Sequence, residues 1–203
     1  IQESDDGPAL LERSGTQLVL TIDGARYRPL LRRLGATGRW PCVYADGHHV
    51  VLASATSPAT ASLVNLAREG RLEYPSEGSR ALSRAMFLLS AGAPIDTAAV
   101  IAAARESNAA TPTPLGYQVI AGLSESPRFR DEALRYFDSE SRRLGALPSS
   151  GKGSQQRRRS EIAIAQALSQ LLADAGRRRE AQIADERSQD LLREAERIRL
   201  DWN

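Results

Sequence analysis

The sequence predicts an α+β fold: a small antiparallel β-hairpin domain at the N-terminus, followed by an all-α domain of stacked antiparallel helices. Two observations carry this. Apolar residues alternate with polar ones before Asp23-Gly24 and around Asp46-Gly47, and Asp-Gly beside an alternating run is the favoured two-residue hairpin turn. From about residue 79 the apolar spacing changes to i, i+3, i+4, i+7, the repeat of one helix face. The boundaries that follow are a weakly ordered segment over 1–15, a hairpin-rich α+β domain over 16–76, and a helical domain over 77–203 with a flexible joint at 146–157.

Within the first segment "GPALLERSG" offers one helical turn. In "TQLVLTIDGARYR" the apolar Leu18, Leu20 and Ile22 alternate with their neighbours and lead into Asp23-Gly24. "CVYADGHHVVLAS" repeats this grammar, and "PLLRRLGATGRW" between them reads as a short helix and a loop. Two hairpins so close together imply one small sheet, because a lone hairpin is marginal in water. "SPATASLVNLAREG" brings Ser57 as cap, Pro58 in the first turn, Leu63, Val64 and Leu66 in the body and Gly70 as terminator. That helix is expected to cover one sheet face.

The helical half opens with Leu82, Ala85, Met86 and Leu89 on one face and Gly92 as the stop. Asp96 then caps "TAAVIAAARES", and "PLGYQVIAGL" supplies the next helix. Ser126 and Pro127 start "RFRDEALRYFDSESRRL", where Phe129, Ala133 and Phe137 recur every four residues up to Gly145. Beyond the joint, Ile164, Leu168, Leu171, Leu172 and Ala175 form a stripe, and Leu191, Ala195 and Ile198 form another. Gly176 separates them, which predicts either two helices or one long helix kinked there.

Composition narrows the function classes. A chain of 203 residues with 41% apolar and 26% charged residues is an ordinary globular composition. The longest small or apolar run, "AAVIAAA", falls far short of the roughly 18 residues of a membrane span, so no integral membrane segment is expected. The single cysteine excludes an internal disulfide and a cysteine-based zinc cluster. The chain begins "IQES" without Met, which suits a processed protein or a piece of a larger one. No compartment follows: a cytoplasmic protein and an exported one relieved of a leader both fit. Lys152 is the only lysine, and the arginine-for-lysine bias together with abundant alanine points to a GC-rich genome.

The stretch "LGALPSSGKGSQQRRRS" invites a phosphate-loop reading, which fails. Gly145 and Gly151 are separated by five residues instead of four, and Gly153 stands where the magnesium-binding hydroxyl belongs. A helix, not a buried strand, precedes it.

Three candidate chemistries remain. A two-residue turn at Asp46-Gly47 would pair Ala45 with His48 and Tyr44 with His49 and bring Cys42 diagonally near His49, as a thiol–imidazole pair for a thiol-dependent enzyme. As the only histidines, His48 and His49 point to opposite faces of a strand, so no metal and no cofactor are expected. The carboxylate pairs Asp5-Asp6, Asp131-Glu132 and Asp185-Glu186 diverge on a helix and suit pairs with arginines. The basic residues Lys152, Arg157, Arg158 and Arg159, with Arg177, Arg178 and Arg179, could grip phosphates of a nucleic acid, since helix starts suit anions and arginines fit them. Residues 151–203 hold 11 basic and 9 acidic residues, whereas residues 1–150 hold 16 of each, so all surplus positive charge lies there. Glu161, Glu180, Asp185 and Glu186 stand near enough to neutralise much of it, and no aromatics are interleaved.

"ALSQLLADAGRRREAQ" is similar to a tetratricopeptide repeat through Leu168, Leu172, Gly176 and Ala181, and residues 114–148 resemble it more loosely through Ala133 and Phe137. The repeat's first aromatic is missing and Asp185 occupies the later aromatic position. The resemblance implies stacked helical hairpins. With no complete catalytic set, the expected function is a non-catalytic interaction or scaffold protein that holds a protein partner through a helical surface. A nucleic-acid-associated protein is the alternative and a thiol enzyme the second alternative.

Overall fold

The computed structural model describes residues 7–22, 33–92, 94–124, 126–146 and 154–200. It is an α+β protein in which a small antiparallel sheet precedes a helical region. In chain order the elements are α1 (Gly7–Arg13), β1 (Leu18–Ile22), β2 (Cys42–Ala45), β3 (His49–Ala53), α2 (Pro58–Arg68), α3 (Glu77–Ser90), α4 (Thr97–Ala110), α5 (Pro114–Leu123), α6 (Pro127–Gly145), α7 (Ser154–Asp174) and α8 (Arg178–Leu200). Residues 33–36 add a helical turn before Trp40. The turn expected at Asp23-Gly24, the carboxylates Asp5-Asp6, and Lys152 with residues 147–153 lie outside the described residues.

The chain divides into two compact units, Ile1–Thr111 and Pro112–Asn203. The change of grammar from hairpins to helices falls earlier, near residue 77, because α3 packs on β2 and α4 packs on α3.

The sheet has the order β1-β3-β2 and is antiparallel throughout. Strand β1 therefore pairs not with its immediate successor but with β3, Leu18 opposite Ala53 and Ile22 opposite His49. This register turns the alternation of β1 the other way round from the simplest reading. Thr21 is buried, while Leu18, Leu20 and Ile22 are 50%, 62% and 65% exposed. The buried face carries Cys42, Ala45, Val50 and Leu52, all fully or almost fully buried. At the opposite face Val43, Ala53 and Val64 gather with Phe87, joined by Leu63, Ala67 and Leu72, so α2 covers only the end of the sheet near Ala53.

The free edge of β2 is closed by serines of α3. The Cys42 N–H donates to Ser90 Oγ at 2.7 Å and the Ala45 N–H to Ser83 Oγ at 2.8 Å. Ser83 and Ser90 are seven apart, two helical turns, and so stand on one face. They supply acceptors that a fourth strand would otherwise provide, and buried N–H groups need one. Helix α3 starts in a capping box of Ser76 and Ser79, and Asp96 caps α4 by accepting the Ala99 N–H.

In the second unit α7 is the central helix, packed against α5, α6 and α8. Its Ser160, Ala163, Ile164, Ala165, Ala167, Leu171 and Leu172 are buried, on more than one face, as a helix with three neighbours requires. Alanines keep those neighbours close. The helix begins at Ser154, so the arginine triplet 157–159 lies in its first two turns and not in a joint. Its end is a Schellman motif: the Gly176 N–H donates to Ala173 O, the Arg177 N–H to Leu172 O, and Gly176 takes φ 74°. The result is two antiparallel helices, not one kinked helix. Between α5 and α6 the buried Tyr117 hydroxyl donates to Glu140 Oε2 at 2.6 Å, and Arg143 donates to both Glu140 oxygens. Burial, with the Glu140 carboxylate beside it, pushes the Tyr117 hydroxyl far above its ordinary range.

Candidate functional site

The thiol–imidazole pair does not form. The Asp46 N–H donates to His49 O, so the central residues of the turn are Gly47 and His48, one position later than the Asp-Gly reading. Asp46 Oδ1 accepts from the N–H groups of His48 and His49, both at 2.7 Å. An Asx turn thus replaces the expected turn, and Gly47 is not in the left-handed region that the expected type needs. Ala45 then pairs with Val50 and Tyr44 with Val51, and a bulge at Val43 puts Cys42 opposite Leu52. Cys42 and Tyr44 consequently face opposite sides of the sheet. His49 lies three residues from Leu52 on β3, hence on the side away from Cys42. The Cys42 thiol is fully buried and burial pushes it up to about 12, far from a nucleophilic thiolate. His49 Nδ1 instead meets Asp46 Oδ2 at 3.3 Å, and Tyr44 donates to the same oxygen at 2.8 Å. Burial alone would raise the Asp46 carboxyl. The hydrogen bonds from His49, His48 and Tyr44 outweigh it and hold the carboxyl below its ordinary range.

The arginine triplets are separated. Arg158 pairs with Glu194 at 2.9 Å, which places the start of α7 beside the last turns of α8. Arg177–Arg179 stand at the other end of the hairpin, about 25 Å away along α7 at 1.5 Å per residue. Arg157 pairs with Glu161 at 3.0 Å in a largely buried pair, and Arg177 binds both oxygens of Glu180. Arg159, Arg178 and Arg179 are exposed. Among the described residues the basic positions therefore divide between two ends, and of their pairs Arg158–Glu194 joins the two helices while Arg157–Glu161 lies within α7.

A concave surface on the second unit stands out instead. Helices α6, α7 and α8 enclose a groove of about 460 Å³. Helix α7 forms its floor with Ala165, Leu168 and Leu172. The α6 wall carries Leu134, Arg135, Asp138 and Ser141, and the α8 wall carries Glu180, Ile183, Ala184 and Arg187. Each set recurs at three, four and seven residues, the spacing that keeps side chains on one helix face. Helix α8 meets its neighbour through Ala181 and Ser188, both buried and seven apart. Ile183 lies off that stripe and is 58% exposed. Asp138 pairs with Arg142 and Glu180 with Arg177, whereas Arg135 and Arg187 make no ion pair among the described residues.

No family model, curated protein or solved structure matches the chain.

Sequence reasoning named Leu168 and Leu172 as parts of a stripe but missed Leu134, Arg135, Ile183 and Arg187. One signal was available. An isoleucine that falls outside the packing stripe of its own helix is either spare or waiting for another surface.

Proposed function

We propose that the chain is a non-catalytic interaction module that holds a partner protein in the groove between α6, α7 and α8. One observation carries this reading. The groove has a floor closed by the buried Leu134 and Leu172, with the half-buried Leu168 and Ala184 and the 58% exposed Ile183 above them, beside which the described residues place no covering element. Helical hairpins that bind partners through an apolar groove read them as a few anchoring side chains. Removing roughly 25 cal/mol per Å² of apolar surface from water is the driving force on offer. The enzyme reading loses its support with the burial of Cys42, and the phosphate-gripping reading loses its with the separation of the triplets.

The test is selection from a random-peptide display library on the wild-type protein, with counter-screening on Ile183→Asp. Peptides that bind wild type and lose binding on the variant support the module. Enriched peptides that bind both proteins equally would refute it, as would a failure to enrich any.

A further inference from the structure

The two arginines that rim the groove specify the chemistry of the partner. We infer that the occupant is an acidic amphipathic segment, with apolar side chains seated on Leu168, Ala184 and Ile183 above the buried Leu134 and Leu172, and carboxylates on Arg135 and Arg187. This rests on the groove being a docking site and goes one step further.

Charge complementarity carries the argument. Among the side chains that line the groove, three are arginine and two are carboxylate. Both carboxylates are already engaged, Glu180 by Arg177 and Asp138 by Arg142. That leaves Arg135 on the α6 wall and Arg187 on the α8 wall, exposed and without a carboxylate among the described residues. A basic segment would set its charges against two unpaired guanidinium groups and find no free acid among the lining side chains. An acidic one meets two planar forks that match carboxylate geometry. Because the two arginines stand on opposite walls with the apolar floor between them, the complementary pattern is acid, apolar cluster, acid. A segment with i, i+3, i+4, i+7 apolar residues and glutamates around them meets that description.

The experiment measures fluorescence anisotropy with three fluorescein-labelled peptides that share leucines at i, i+3, i+4 and i+7. The intervening positions are Glu in the first, Gln in the second and Lys in the third. The Glu peptide is expected to bind about fivefold tighter than the Gln peptide, since two exposed ion pairs of typical strength amount to that. The advantage should shrink with added salt. In R135Q/R187Q the Glu and Gln peptides should bind alike, with the Gln affinity unchanged. Equal binding of Glu and Gln peptides to wild type, or tighter binding of the Lys peptide, would overturn the acidic partner while leaving the groove reading intact. Failure of all three peptides, or equal binding to wild type and Ile183→Asp, would instead overturn the groove reading. Sedimentation of wild type and Ile183→Asp completes the test. Self-association lost in the variant would make a second copy of this chain the occupant and overturn the acidic partner. A monomer in both proteins supports it.

Discussion

Burying Cys42 has a consequence for stability that can be read against pH. Its thiol ordinarily ionises near 9 but only at about 12 in the folded protein. Between those values the unfolded chain releases a proton that the native state retains. Stability must therefore fall as pH rises from about 9 towards 12, at up to about 1.4 kcal/mol per pH unit. Denaturant midpoints measured across that range should fall, and Cys42→Ala should flatten the fall; an unchanged slope would contradict the burial. The same burial predicts alkylation of Cys42 in the native protein no faster than global or local opening allows. Asp46 works in the opposite sense. Its depressed value stabilises the hairpin above the ordinary carboxylate range, and that contribution is lost as pH falls through the folded value. Glu140 is held between Tyr117 and Arg143. Glu140→Gln weakens the bonds from Arg143, and an expected cost of about 2 kcal/mol in chemical denaturation follows.

Helix α3 shows how side chains do the work of missing neighbours. Ser83 and Ser90 of α3 satisfy the edge of β2, so Ser83→Ala or Ser90→Ala leaves a buried N–H without its partner. Each should cost about 1–3 kcal/mol of unfolding free energy, whereas the half-buried Ser57→Ala, whose side chain makes no cap bond, should cost far less. In α7 and α8 the difference between core and groove is testable by the same measurement. Leu171→Ala removes a side chain that is 1% exposed and should cost about 3 kcal/mol, while Ile183→Ala should change stability by about 0.5 kcal/mol or less. A large loss at Ile183 would mean that it belongs to the core and not to a docking surface. Helix starts and stops were legible from Pro127, Asp96 and Gly176 because the signals that begin and end helices use groups only a few residues apart, although Ser126 holds the cap position without a side-chain cap bond. The turn after β2 was not, because Asp46 had two local options and its side chain chose the Asx turn.

The division of basic charge between the two ends of the α7–α8 hairpin governs what the protein can hold as a unit. Changing Arg157, Arg158 and Arg159 together to Gln removes the pairs to Glu161 and Glu194. The expected outcome is a loss of about 1 kcal/mol in stability, because Arg157–Glu161 is largely buried, with no change in binding of random-sequence DNA. Anisotropy titrations at several salt concentrations check the second half. Steep salt dependence lost in the variant would restore the nucleic-acid reading.

The order of elements, the α+β character and the ends of most helices were all written in local patterns, and the single cysteine leaves no internal disulfide. Helices declare themselves because their hydrogen bonds join residues four apart and their faces recur every 3.6 residues. Tertiary structure alone decided that β1 pairs with β3, that a bulge turns Cys42 away from His49, and that the arginine triplets part company. It also decided that Leu134, Arg135, Ile183 and Arg187 meet around one groove. Strand partners and shared surfaces depend on which distant faces bury one another, and a single step in register moves every side chain to the other side.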